Sequence, residues 1–157
     1  MTEAVKRILC AALILALLCC LPACGAEKAP ADLEKLYTEL CALGDAPEMI
    51  RLADKKLQRS IGVDPAACPQ AIAALCEDGL RVDEIWLIQA ADEEAAKAVQ
   101  ALAESRAAQI CAETENYLPD QYAVAKASRV LRIGSYVGLF LSPAAAEMES
   151  AFRKAVG

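Results

Sequence analysis

The chain carries eight cysteines and no histidine, so thiol chemistry is open to it and imidazole chemistry is closed. One thiol has a chemical context. Cys24 follows Leu21-Pro22-Ala23 and an uncharged run over residues 8–21. A cysteine placed after a small residue at the end of such a run can take a lipid on its sulfur once the bond after Ala23 is cut. Cys10, Cys19 and Cys20 lack the small preceding residue, because Leu9, Leu18 and Cys19 stand there. Cys41, Cys68, Cys76 and Cys111 form no Cys-x-x-Cys pair, which removes the spacing of a zinc ribbon or a thioredoxin-like site. Their even number permits two disulfides in an exported protein. Cys41, Cys76 and Cys111 sit among apolar residues at helical spacing, which predicts buried free thiols acting as small hydrophobes.

The missing histidine withdraws the commonest general base, the Ser–His and Cys–His nucleophile pairs and every His-containing zinc site. The acidic residues scatter; they show neither a glycosidase pair nor an oxygen-rich calcium loop. Gly134-Ser135-Tyr136-Val137-Gly138 has the wrong spacing for a nucleophile elbow, and no phosphate-binding glycine loop is present. The sequence therefore predicts no catalytic set, no metal and no cofactor. Trp86, Tyr117, Tyr122 and Tyr136 are either a ligand groove or the core's few large residues. With aromatics at 4% of the chain, the core is the expectation.

Arg106 stands out inside the chain. Val99, Leu102, Ile110 and Tyr117 share one helical face, and Arg106 falls in the middle of that stripe. A buried guanidinium needs a partner. The expected partner is Glu84 or Asp83 at the start of a strand, with Glu113 the local alternative. Snorkelling to the edge of the stripe and a buried anion site are the other readings.

These residues need elements to hold them. Lys6-Arg7, the apolar run and Ala23 read as a signal peptide over residues 1–23. The run is too short for a spanning helix of roughly 20 apolar residues and matches a signal h-region. Pro22 breaks any helix before the cut. Ordinary signal-peptidase cleavage near Ala23 or Gly25 and an uncleaved N-terminal anchor are the alternatives. Two or more acyl chains, at about 0.8 kcal/mol per buried CH₂, hold durably where one is marginal. Residues 24–31 form a tether reaching about 20 Å when extended. Residues 32–157 follow as a single domain.

Loss of residues 1–23 moves the formal net charge from −6 to −7, because Lys6, Arg7 and Glu3 leave with them. Such a domain is repelled by nucleic-acid phosphates and by anionic headgroups, so nucleic acid is not an expected partner. Alanine abundance favours helices. Asp32 caps a first helix, residues 49–61 read as a second, and residues 64–79, opening Asp64-Pro65, as a third. Ile85-Trp86-Leu87-Ile88 is a strand covered on both faces. Asp92 caps a long helix to about Glu115. A short helical turn at 121–127 precedes strands 128–133 and 136–141, joined by Gly134-Ser135 in a type II′ hairpin. Ser142-Pro143 opens the last helix. The expected fold class is α+β: a β-α-β-β-α core whose three-stranded antiparallel sheet, in spatial order first, third, second, is packed by helices on one face and preceded by two or three helices.

Ile61-Gly62-Val63-Asp64-Pro65, Asp83-Glu84-Ile85, Arg106, Tyr117-Leu118-Pro119-Asp120-Gln121-Tyr122 and Gly134-Ser135-Tyr136-Val137, in that order, resemble a family of small clostridial (Firmicutes) lipoproteins, domain of unknown function 4358. The front of the chain resembles a lipobox, with Pro22 where that pattern has a small residue. The resemblance implies a Gram-positive surface lipoprotein without a known activity. The resulting expectation is a protein held by lipid on Cys24 at the extracytoplasmic face of the cell membrane, binding an envelope protein or a small ligand. A histidine-free enzyme or a thiol or metal module is the alternative.

Overall fold

A computed structural model describes residues 29–43 and 46–157. Residues 1–28, which include the expected signal peptide, the expected cleavage position at Ala23, and Cys24, lie outside the described residues. Ala31–Gly157 form one unit.

The apolar run Ile85–Ile88 organises this unit. It lies in β3 (Glu84–Gln89), whose residues from Glu84 to Ile88 are all buried. A strand apolar on both faces must lie inside a sheet with a layer on each side. β3 is the middle strand of five, flanked by β2 (Gln70–Cys76) and β5 (Tyr136–Leu141); β1 (Met49–Arg51) and β4 (Arg129–Ile133) form the edges. All neighbours are antiparallel. Gly134 has φ +56° and no other residue type shows positive φ, as a type II′ turn between β4 and β5 requires. The hairpin pairs Ile133 with Tyr136 and Leu131 with Gly138.

The fold is α+β, with five α-helical segments among the described residues. On one face, α3 (Glu93–Thr114), capped by the Asp92 side chain on Ala95 N–H, lays Ala96, Val99, Ala103, Ala107 and Ile110 against Ala73, Trp86, Ile88, Val137, Leu139 and Leu141. The short α2 (Asp54–Lys56) runs into a π-helical turn, Leu57–Ile61, that adds Leu57 and Ile61 to this layer. α4 (Pro119–Lys126) adds Ala125. On the other face, α1 (Leu33–Cys41) and α5 (Ala145–Val156) pack Leu33, Leu36, Leu40, Met148 and Phe152 on Ile72, Ile85, Leu87, Leu131 and Phe140. Phe140 and Phe152 meet edge to face at 5.8 Å.

The structure corrects the sequence reading at several points. The sheet has five strands, not three. Residues 49–61 are not one helix: Met49–Arg51 pair with Cys76–Ala74 before the helical turns begin. Residues 64–79 are not a helix either. Asp64 caps a single 3₁₀ turn, Pro65–Ala67; Pro69 breaks it, and Gln70–Cys76 enter the sheet. Alanine's helix preference amounts to about 0.7 kcal/mol per residue at most, and a central strand gains ladder hydrogen bonds on both edges plus burial on both faces. The helices cover both faces, with α5 opposite α3 rather than beside it. α4 starts at Pro119, two residues before the expected turn.

A row of polar side chains crosses one end of the sheet. Gln70, Gln89 and Tyr136 are neighbours on β2, β3 and β5. Gln70 Nε2 donates to Gln89 Oε1 at 2.8 Å and to the Ala31 carbonyl at 2.9 Å. Ala31 N–H donates to the Tyr136 hydroxyl at 3.0 Å, and Leu33 N–H to Gln70 Oε1 at 3.3 Å. Together they hitch the start of α1 to the Gln89 end of β3.

Candidate functional site

Glu84 opens β3 at the opposite end of the sheet, about 17 Å along the strand from Gln89 at 3.4 Å per residue. Strand alternation places its side chain on the Trp86 face, beneath α3. It is 2% exposed, a position a carboxylate holds only when fully hydrogen-bonded. Trp86 Nε1 donates to Oε1 at 2.6 Å. Arg106 Nε donates to Oε2 at 3.0 Å and to Oε1 at 3.2 Å, and Nη2 donates to Oε2 at 2.9 Å. Both oxygens are engaged, and among the described residues no buried side-chain polar atom lacks a partner.

The structure thus brings Arg106 and Glu84 together. It also shows why an arginine stands on that helix. The face of α3 against the sheet is Ala96, Val99, Ala103, Ala107, Ile110 and Thr114, and Arg106 lies on its flank with 21% of its side chain exposed. Tyr117 does not continue the stripe. The chain leaves the helix after Thr114, and Tyr117 is 83% exposed. Asp83, 5% exposed, accepts instead from Arg81 Nε at 2.9 Å. Glu113 accepts from Gln109. Sequence reasoning missed Trp86 as a donor, although Glu84-x-Trp86 on a strand puts both side chains on one face.

Above this pair opens a cleft of about 210 Å³, lined among others by Cys76, Asp78, Arg81, Glu113 and Leu118. Next to it lies a pocket of about 190 Å³ between Leu80, Leu118, Pro119, Asp120 and Gln121. Leu118 lines both. The walls are fixed: Val82 N–H donates to Gln121 Oε1 at 3.0 Å, tying the β2–β3 turn to α4. A wider groove of about 510 Å³ runs between α1 and α5. Its ionisable groups, Asp32, Lys35, Glu39 and Lys154, are all exposed, so the buried charges concentrate at the smaller cleft.

The remaining candidates are dispersed. Cys41, Cys68, Cys76 and Cys111 are unpaired thiols. Cys76 sits on β2, not on the expected helix, and Cys41, Cys76 and Cys111 are partly exposed rather than buried as expected; the buried thiol is Cys68. Burial, and then the negative charge of Asp64, pushes the Cys68 thiol up, away from the thiolate that nucleophilic chemistry needs. Tyr37 is pushed up to about 12, first by burial and then by its hydrogen bond with Cys41. Arg51 stands 5.4 Å from the Tyr37 ring centre while binding both oxygens of Glu34. Trp86 is core, Tyr136 belongs to the hitch at Ala31, and the Tyr122 hydroxyl donates to Glu115 at 3.2 Å. None of these three lines the cavities above. Among the described residues, no group of three or more Cys, Asp or Glu side chains is placed to hold a metal, and no helix is long and apolar enough to cross a membrane.

The family model described as Domain of unknown function (DUF4358) matches residues 42–142, the stretch that contains all five strands and α3. No curated protein and no solved structure matches the chain.

Proposed function

The chain belongs to the DUF4358 family, and from that premise we propose that it is a lipoprotein of a Gram-positive cell. On this reading it is anchored through Cys24 at the extracytoplasmic face of the membrane and acts there as a binding module for an envelope partner. The observation that carries the anchor is Cys24 itself, behind Leu21-Pro22-Ala23, an uncharged run and Lys6-Arg7. The folded unit begins at Ala31, seven residues beyond that cysteine, which leaves room for a tether and little else. The formal charge of −7 that remains after residues 1–23 are removed keeps such a domain off an anionic leaflet.

Binding is favoured over catalysis by the state of Glu84. A general acid or base must have a lone pair or proton available to a substrate. Both Glu84 oxygens already accept from Arg106 and Trp86, an arrangement that braces the cleft and supports a structural role for this carboxylate. The raised pKa of Cys68 argues likewise against that residue as a thiol nucleophile.

The test is mass spectrometry of the N-terminal peptide from native membranes. The expected species begins at Cys24 and carries a diacylglyceryl group on sulfur. A bare Cys24 thiol, or a chain still joined to Ala23, would overturn the anchor.

A further inference from the structure

Leu80, at the tip of the β2–β3 turn, is 67% exposed, and Tyr117, one residue before Leu118, is 83% exposed. Among the described residues the remaining exposed large hydrophobic is Ile50. All three stand at the cleft end of the sheet: Ile50 pairs with Leu75, which pairs with Glu84, Leu80 walls the pocket together with Leu118 and Pro119, and Tyr117 precedes Leu118 in the chain. A lone exposed leucine needs no explanation; one that walls a pocket beside a second apolar side chain marks a contact surface. The turn is held ready. Asp78 Oδ1 accepts from Leu80 N–H at 2.9 Å, and the Asp78 carbonyl accepts from Arg81 N–H at 3.0 Å.

Charge identifies the occupant. The two cavities are lined by Asp78, Asp83, Glu84, Glu113 and Asp120 against Arg81 and Arg106, a formal charge of −3. Both arginines are already bound to Asp83 and Glu84, while Asp78, Glu113 and Asp120 make no ion pair among the described residues. We propose that this end of the molecule docks a partner protein through a segment presenting a lysine or arginine beside an aliphatic side chain. The aliphatic group seats against Leu80, Leu118 and Pro119, and the cation meets Asp78, Glu113 or Asp120. Opposite charge on the partner supplies orientation and association rate. A second copy of this acidic chain is disfavoured by like-charge repulsion. The surface lies at the far end of the sheet from Ala31, where the tether joins. The inference deepens the binding-module reading and rests on it.

The probe is a fluorescent peptide of alternating lysine and leucine, titrated by anisotropy against the full chain in detergent micelles. Peptides with lysine replaced by glutamate, or leucine by serine, serve as controls. Saturable binding of the lysine–leucine peptide alone is expected, weakening with salt. It should fall about tenfold or more in Leu80→Ser, in Tyr117→Ser and in Asp78→Asn/Glu113→Gln, with unchanged melting temperatures because these side chains pack no core. No saturable binding, equal binding of the lysine–serine peptide, or indifference to Leu80→Ser overturns the proposal. So does sedimentation that shows a dimer abolished by Leu80→Ser. Acylation has no part in this readout, so a bare Cys24 with intact peptide binding removes the anchor and leaves the surface, and the converse result does the reverse.

Discussion

Glu84, Arg106 and Trp86 hold the cleft end of the fold together because each would be costly alone. Removing one partner of a buried pair leaves an uncompensated charge, whereas removing both charges is often neutral. Arg106→Met is therefore expected to lose about 3 kcal/mol in urea unfolding, the lower end of the range because Arg106 is partly solvated. Arg106→Met/Glu84→Gln should recover much of that loss, since a glutamine oxygen still accepts from Trp86 and no charge remains buried. Equal stability of the single variant and the parent would show that the pair contributes nothing. Tyr37 gives a second residue-scale expectation. Its native pKa lies near 12 against an ordinary 10.0, so between those values the native state holds a proton that the unfolded chain has lost. Stability must then fall as pH rises through that window. Tyr37→Phe should flatten the fall, and an ultraviolet titration should lose its last phenolate. Arg106 was legible in the sequence because a charge on an apolar stripe is a mismatch. Trp86 was not, because its indole was counted only as bulk.

At the scale of elements, alanine misled the reading. Ile72, Leu75 and Cys76 fall at helical spacing within an alanine-rich stretch, and Gln70–Cys76 is nonetheless a strand between β1 and β3. The demand for it was present elsewhere. β3 is apolar on both faces and needs a neighbour on each edge, and the β4–β5 hairpin supplies only one. The hairpin itself was readable from Gly134-Ser135, and α3 from Asp92 and its acidic first turn. β1, three residues long, is too short to leave a periodic signal. The close approach of the Phe140 ring to Gly138, two residues earlier on β5, carries the prediction at this scale. A Cβ on Gly138 would lie 2.8 Å from Phe140 Cζ, and that ring is fully buried against Phe152. Gly138→Ala should cost about 1–3 kcal/mol by overpacking, read as a lowered midpoint in chemical denaturation. An unshifted midpoint would mean that the Phe140 side of the core is loose.

For the whole molecule, the sequence supports a proposal of address and none of activity. A signal and an acylation site are linear patterns of charge, greasiness and one cysteine. A binding surface depends on turns and side chains that meet only after folding: Leu80 and Leu118 are far apart in the chain and share one pocket. Under the proposed anchoring, Cys24→Ala should move the protein from the membrane fraction to the soluble fraction while the unit Ala31–Gly157 keeps its melting temperature. Retention of that variant on membranes would point to attachment by another route.

The hydrogen bonds that Tyr136 and Gln70 make to Ala31 set where mechanical load would enter. A chain tugged from its N-terminal side is pulled at this knot before any helix is stretched, and the knot passes the force to three strands at once through Gln70, Gln89 and Tyr136. Shear spread across a sheet resists rupture better than peeling at a lone helix, so α1 would stay seated under such a pull if the chain is leashed and engaged at its far end as proposed.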